Sequence, residues 1–124
     1  MSGPSQTVAV LGASDKKERY SNQAVVLLKE RGHRVIPVHP VLAEIEGLPV
    51  VRKLEAISEA VDTLTVYVGP ERSRGLIGAI VDLAPGRVIL NPGAESPELE
   101  AALAEHGIPC QKACTLVLLR TGQF

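Results

Sequence analysis

The turn Gly12-Ala13-Ser14 is followed closely by Lys16, Lys17 and Arg19. Glycine takes the positive φ that a tight turn needs. A serine hydroxyl can donate to a phosphate oxygen, and ammonium and guanidinium groups neutralise phosphate charge. A strand, a glycine turn and then a helix is how α/β proteins build an anion site. The same residues also describe an ordinary strand-to-helix turn with a solvated charge cluster, so both readings stand at this point.

Three further turns carry polar or permissive residues after an apolar run: Val38-His39-Pro40, Val68-Gly69-Pro70 and Asn91-Pro92-Gly93. His39 can bond a phosphate or ribose oxygen, or serve the turn itself. Gly69 permits close approach of another chain and Pro70 removes a backbone donor. With His39 and Pro40 this suggests an apolar slot for an adenine ring or an amide-bearing arm, or simply strand ends and helix starts. Cys114 is the candidate reactive thiol, though free cysteines are usually inert core residues. No Ser/His/Asp set, paired-carboxylate site or metal-ligand cluster stands out. No catalytic residue and no metal ligand is assigned, and the chain reads as a binder rather than an enzyme.

Two nucleotide fingerprints are missing. A G-x-G-x-x-G turn would place glycine where Ser14 and Lys17 stand, and the second apolar run ends without the acid that grips a ribose. No G-x-x-x-x-G-K-[ST] occurs.

The elements that must position these residues alternate. Thr7–Leu11, Arg34–Val38, Thr63–Val68, Arg87–Leu90 and Ile108–Gln111 read as strands. Helices are expected over Ser21–Arg31, Lys53–Ala60, the stretch after Pro70 and Pro97–His106, the last with Ser96 as N-cap. Val41–Val51 reads as a loop, and Thr115–Leu119 as an apolar tail that must pack on something. The alternation implies an α/β, Rossmann-like, doubly wound sheet of about five parallel strands with helices on both faces. Such sheets hold ligands at their carboxyl edge, where loops 12–19, 39–47, 69–73, 91–95 and 112–115 fall.

With 124 residues, one domain spans 1–124, its residues 1–6 expected to be disordered. Thirteen basic against fourteen acidic residues leave a net charge of −1, so no broad positive field favours nucleic acid. Only two tyrosines and one phenylalanine are available for base stacking. No membrane span or signal peptide is recognisable, and a cytoplasmic location with reduced Cys110 and Cys114 is expected. A homodimer or another protein partner is left open by the apolar tail.

Taken with Tyr20-Ser21-Asn22, Cys114-Thr115-Leu116-Val117 and Thr121-Gly122-Gln123-Phe124, the four turns give the chain a resemblance to the small CoA-binding proteins. These are stand-alone relatives of the nucleotide-binding domain in the α subunit of succinyl-CoA synthetase. The resemblance covers roughly residues 5–124. It implies that coenzyme A or an acyl-CoA lies across the carboxyl edge, its phosphates near Gly12, Ala13, Ser14, Lys16, Lys17 and Arg19. Adenine and pantetheine would run past Val38, His39, Pro40, Val68, Gly69, Pro70, Asn91, Pro92 and Gly93. The family often carries Asn-Pro-Lys where this chain has His39-Pro40-Val41. Two other readings remain: a sensor or adaptor for another adenine nucleotide such as AMP or NAD, and a thiol-dependent CoA-disulfide carrier using Cys114.

Overall fold

The computed structural model describes residues 4–124. Its strands in chain order are β1 (Thr7–Leu11), β2 (Arg34–Val38), the two-residue β3 (Glu44–Ile45) and β4 (Leu48–Pro49), β5 (Thr63–Val66), β6 (Arg87–Leu90) and β7 (Cys110–Lys112). Its helices are α1 (Tyr20–Glu30), α2 (Pro70–Ser73), α3 (Ile77–Leu83), α4 (Pro97–Glu105) and α5 (Thr115–Arg120).

Five strands form one parallel sheet in the order β2-β1-β5-β6-β7. The central strands are buried on both faces because helices cover both, and β5 carries the buried hydroxyls of Thr63 and Thr65 on one of them. On one face Ala9, Leu11, Leu64, Val66 and Leu90 pack with Ile80 of α3 and with Leu99 and Leu103 of α4. On the other, Val8, Val10 and Val35 meet Val25 and Leu28 of α1 and Leu119 of α5. The expected α/β, Rossmann-like sheet is the one observed. β1 lies between β2 and β5, so the chain leaves β1 in one direction and returns past it in the other. That reversal, between β1 and β5, is the topological switch point of the sheet.

Several element boundaries differ from the sequence reading. The stretch 41–51 contains the β3–β4 hairpin rather than loop alone. Its connecting residues Glu46 and Gly47 have φ of 51° and 77°. Positive φ at both positions is the type I′ geometry that matches strand twist. The helix expected at 53–60 shrinks to a 3₁₀ turn at Leu54–Ala56. The helix after Pro70 is split by a second 3₁₀ turn at Arg74–Leu76, where Gly75 lowers helix propensity. Only Ile80 of α3 is fully inside. The third strand stops at Val66, and the fifth sheet strand is shifted to 110–112, where it forms an exposed edge. Ser96 caps α4 as expected, accepting from the Leu99 amide at 3.2 Å. The apolar tail becomes α5 and covers the chain's own sheet through Leu116, Leu118 and Leu119. Of residues 1–6, expected to be disordered, 1–3 lie outside the described residues. Gln6 is tied in: its amide donates to His33 Nδ1 at 3.0 Å and its side chain accepts from Thr63 Oγ1 at 2.6 Å. No helix among the described residues is long and apolar enough to cross a membrane.

Candidate functional site

The residue that opens the β1–α1 loop is fixed by sterics. Gly12 has φ of +88°, and a Cβ there would sit 2.9 Å from Val68 Cγ1 and 3.2 Å from the Tyr67 carbonyl carbon. No larger residue fits, because the loop crosses the end of β5 at contact distance. The Gly12 and Ala13 amides do not face outward. Both donate to the Val38 carbonyl, at 3.3 and 3.2 Å, and tie the loop to the end of β2. The next two amides, of Ser14 and Asp15, have no acceptor among the described residues. Ser14 Oγ accepts from the Lys16 amide at 3.1 Å, which leaves its own proton free to donate.

This loop forms one wall of a cleft of about 890 Å³ at the carboxyl ends of β1, β2 and β5. The volume falls within the roughly 300–1,000 Å³ usual for small-molecule sites. Five cationic side chains line the cleft: Lys16, Arg19, Arg52, Lys53 and Arg72. None of them belongs to the ion pairs found among the described residues. Asp15 and Glu18 are the acids of the lining, so positive charge predominates there on a chain whose net charge is −1. Leu42, Leu54, Leu76 and the rings of Tyr20 and Tyr67 add apolar surface.

Of the residues singled out in the sequence, Gly12, Ala13, Ser14, Lys16, Arg19, Val38, His39 and Pro40 line the cleft. Lys17 does not. Its ammonium meets the Glu46 carboxylate at 2.8 Å, and the same oxygen accepts from Asn22 Nδ2 at 2.9 Å. Asn22 also donates to the Ser14 carbonyl at 2.9 Å, and Lys29 donates to the Glu46 carbonyl at 2.9 Å. The hairpin turn thereby clamps the back of the β1–α1 loop. The bonds from Lys17 and then Asn22 hold the Glu46 carboxyl below its ordinary range.

His39 is committed through one nitrogen. Nδ1 accepts from the amides of Val41 and Leu42, both at 3.0 Å. These donors assign the ring proton to Nε2, leaving a hydrogen-bond donor and no available base.

Val68, Gly69, Pro70, Asn91, Pro92 and Gly93 lie outside the cleft lining. The two turns run side by side: a Cβ on Gly69 would be 3.8 Å from the Gly93 carbonyl oxygen. Val68 is buried beneath Gly12, and Gly69 caps α2 by accepting from Arg72 and Ser73. Asn91, also buried, is a fastener. Its Nδ2 donates to Thr65 Oγ1 at 2.7 Å and to the Val66 carbonyl at 2.9 Å, while its Oδ1 accepts the Thr115 amide at 2.8 Å. Thr65 and Thr115 share a 2.7 Å bond between hydroxyls. The buried Tyr67 hydroxyl is turned toward these two threonines but meets hydrogen-bond geometry with neither. Burial pushes its pKa up to about 12.

Cys114 is half-buried at the start of α5 and does not line the cleft; Cys110 is exposed, its thiol pKa raised by partial desolvation and by the nearby Glu100. Among the described residues no three His, Cys, Asp or Glu side chains are grouped to hold a metal ion.

The family described as CoA binding domain matches residues 6–120. This chain belongs to that family. A solved structure of an uncharacterised protein superposes on this CoA-binding domain with a TM-score of 0.92 at 38% identity, covering 98% of this chain and 100% of the other. A Thermus thermophilus protein solved as cell-free ID.343 gives 0.88 at 35% identity, over 97% and 91% of the two chains. The uncharacterized protein YneT of Bacillus subtilis is 31% identical over 72 residues, 58% of this chain. That match spans about half of YneT, 53% of its length.

Arg52, Lys53 and Arg72 escaped the sequence reading. The signal available for the first two was a Glu-Gly pair between Ile45 and Leu48, which marks a hairpin and returns the chain to the end of β2. Tyr67 follows the third strand directly, and only the close crossing of Gly12 brings it to the cleft.

Proposed function

We propose that this protein binds coenzyme A, free or acylated, in the cleft at the carboxyl ends of β1, β2 and β5, and acts as a binding module. The observation that carries the reading is the group of five unpaired cations around a cleft at the switch point of a CoA-binding-family fold. Coenzyme A is a polyanion with an apolar arm, and the lining offers both cations and aliphatic or aromatic surface. In this reading Ser14 and the amides of Ser14 and Asp15 take phosphate oxygens, with Lys16 and Arg19 supplying charge. His39 Nε2–H donates to a ribose or phosphate oxygen. The thioester end runs out of the cleft past Leu42 and Leu76. No proton transfer is assigned to the protein, since the basic nitrogen of His39 is already bonded.

Calorimetric titration of the full chain with CoA, acetyl-CoA, AMP and NAD tests this. The expected result is CoA binding with a dissociation constant on the order of 10 µM, about −7 kcal/mol. Acetyl-CoA should follow within a few-fold. AMP or NAD binding with CoA silent at millimolar concentration overturns the CoA reading in favour of another adenine nucleotide.

A further inference from the structure

We propose that Arg52 and Lys53 bind a phosphate monoester on the ribose of the ligand, so that the cleft distinguishes a ribose-phosphorylated adenine nucleotide from the same nucleotide without that phosphate. The inference rests on the reading of the cleft as a CoA site and assigns its selectivity. In parallel nucleotide-binding sheets the ribose lies over the end of the second strand. An acid there grips the free hydroxyls, whereas a basic residue nearby accommodates a ribose phosphate. β2 of this chain ends in Val38-His39-Pro40, without an acid. The segment after β4 supplies the opposite charge. Val51 forms a bridge with Val38. Its amide donates to the Pro37 carbonyl at 3.0 Å, and its carbonyl accepts from the His39 amide at 3.1 Å. This short ladder carries the next two residues, Arg52 and Lys53, to the end of β2, where both are exposed and line the cleft.

The cations of the β1–α1 loop already account for a diphosphate. Lys16 and Arg19 stand there with the Ser14 and Asp15 amides, on a different element from Arg52 and Lys53. Arg72 belongs to α2, and the other four cations form two groups on two walls, which match a ligand with two separated phosphate groups. A diphosphate alone leaves the second group without a counter-charge. The acids of the lining, Asp15 and Glu18, belong to the first wall and do not neutralise the second. An adenosine diphosphate whose ribose bears a further phosphate describes CoA and NADP alike, so the test must separate them.

Titrations of the wild type and of the Arg52→Gln/Lys53→Gln variant are to be made with CoA, dephospho-CoA, NADP and NAD. Both residues are exposed, and matching thermal midpoints confirm the fold. The wild type is expected to prefer CoA over dephospho-CoA by about tenfold or more, the scale of a charge-assisted phosphate contact. The double variant should bind the two equally, with its dephospho-CoA affinity close to that of the wild type. Lys16→Gln/Arg19→Gln, in contrast, should weaken both ligands and keep their ratio. A wild type without preference, or a double variant that keeps the wild-type ratio, overturns the assignment while leaving CoA binding intact. CoA silence with a preference for NADP over NAD that the double variant loses keeps the assignment and overturns the CoA reading. Silence from all four ligands overturns both.

Discussion

Gly12 and Tyr67 meet at the point where β1 and β5 part, and each makes a distinct prediction. Gly12→Ala forces an L side chain to φ of +88° and drives a methyl to 2.9 Å from Val68 Cγ1. It should lower unfolding free energy by about 2 kcal/mol in urea titrations, and weaken CoA binding as the loop shifts. A variant as stable as the wild type would show that the loop has room the geometry denies. Tyr67→Phe removes a hydroxyl that is buried without a partner. An unsatisfied polar group costs about 1–3 kcal/mol, so this variant should be at least as stable as the wild type. A measured loss instead would mean that the hydroxyl is bonded. The Gly12 turn was legible in the sequence because a glycine between an apolar run and a basic helix start has few other uses. The role of Asn91 was not. Its amide looks like a ligand donor in a turn, and only the packing of β5, β6 and α5 around it shows that all its bonds are internal.

At the level of elements, the strands followed from β-branched runs and α1 from a helical stripe of Ala24, Leu27 and Leu28, of which Ala24 and Leu28 are buried together with Val25 while Leu27 is only half-buried. The β3–β4 hairpin did not, because two-residue strands have no periodicity to detect. That hairpin acts on the β1–α1 loop through one carboxylate. Glu46 accepts from Lys17 and Asn22, and Asn22 in turn holds the Ser14 carbonyl. These bonds favour the ionised carboxylate, so its folded pKa lies below the ordinary value of 4.5. The folded state then binds the proton less readily than the unfolded chain. The resulting stabilisation is complete above that ordinary value and is lost as pH falls through the lowered one. Glu46→Gln should therefore be less stable than the wild type at neutral pH, with a gap that closes in acid. Urea midpoints measured for both proteins from pH 7 to pH 3 check this. A gap that does not change with pH would mean that the side chain acts through packing or turn conformation rather than charge.

The whole molecule sets a mildly acidic chain around a cationic cleft, and the balance between charge and apolar contact in ligand binding is open to measurement. Five cations line the cleft and all five are exposed, so salt should screen their field. The Debye length is about 10 Å at 0.1 M ionic strength and about 3 Å at 1 M. A ligand that binds only the folded state stabilises it by about 2.7 kcal/mol at 100 times its dissociation constant. For a domain of this size, that is a rise in unfolding midpoint on the order of 10 °C. With the CoA concentration fixed there, raising the salt should weaken binding and shrink the rise, since phosphate–cation attraction is screened while burial of the pantetheine arm is not. Calorimetric scans with and without CoA at low and high salt make the comparison, with each midpoint referred to the ligand-free protein at the same salt. A rise that survives high salt undiminished would place the binding energy in Leu42, Leu76 and the tyrosine rings. The cations would then serve encounter and selectivity rather than affinity.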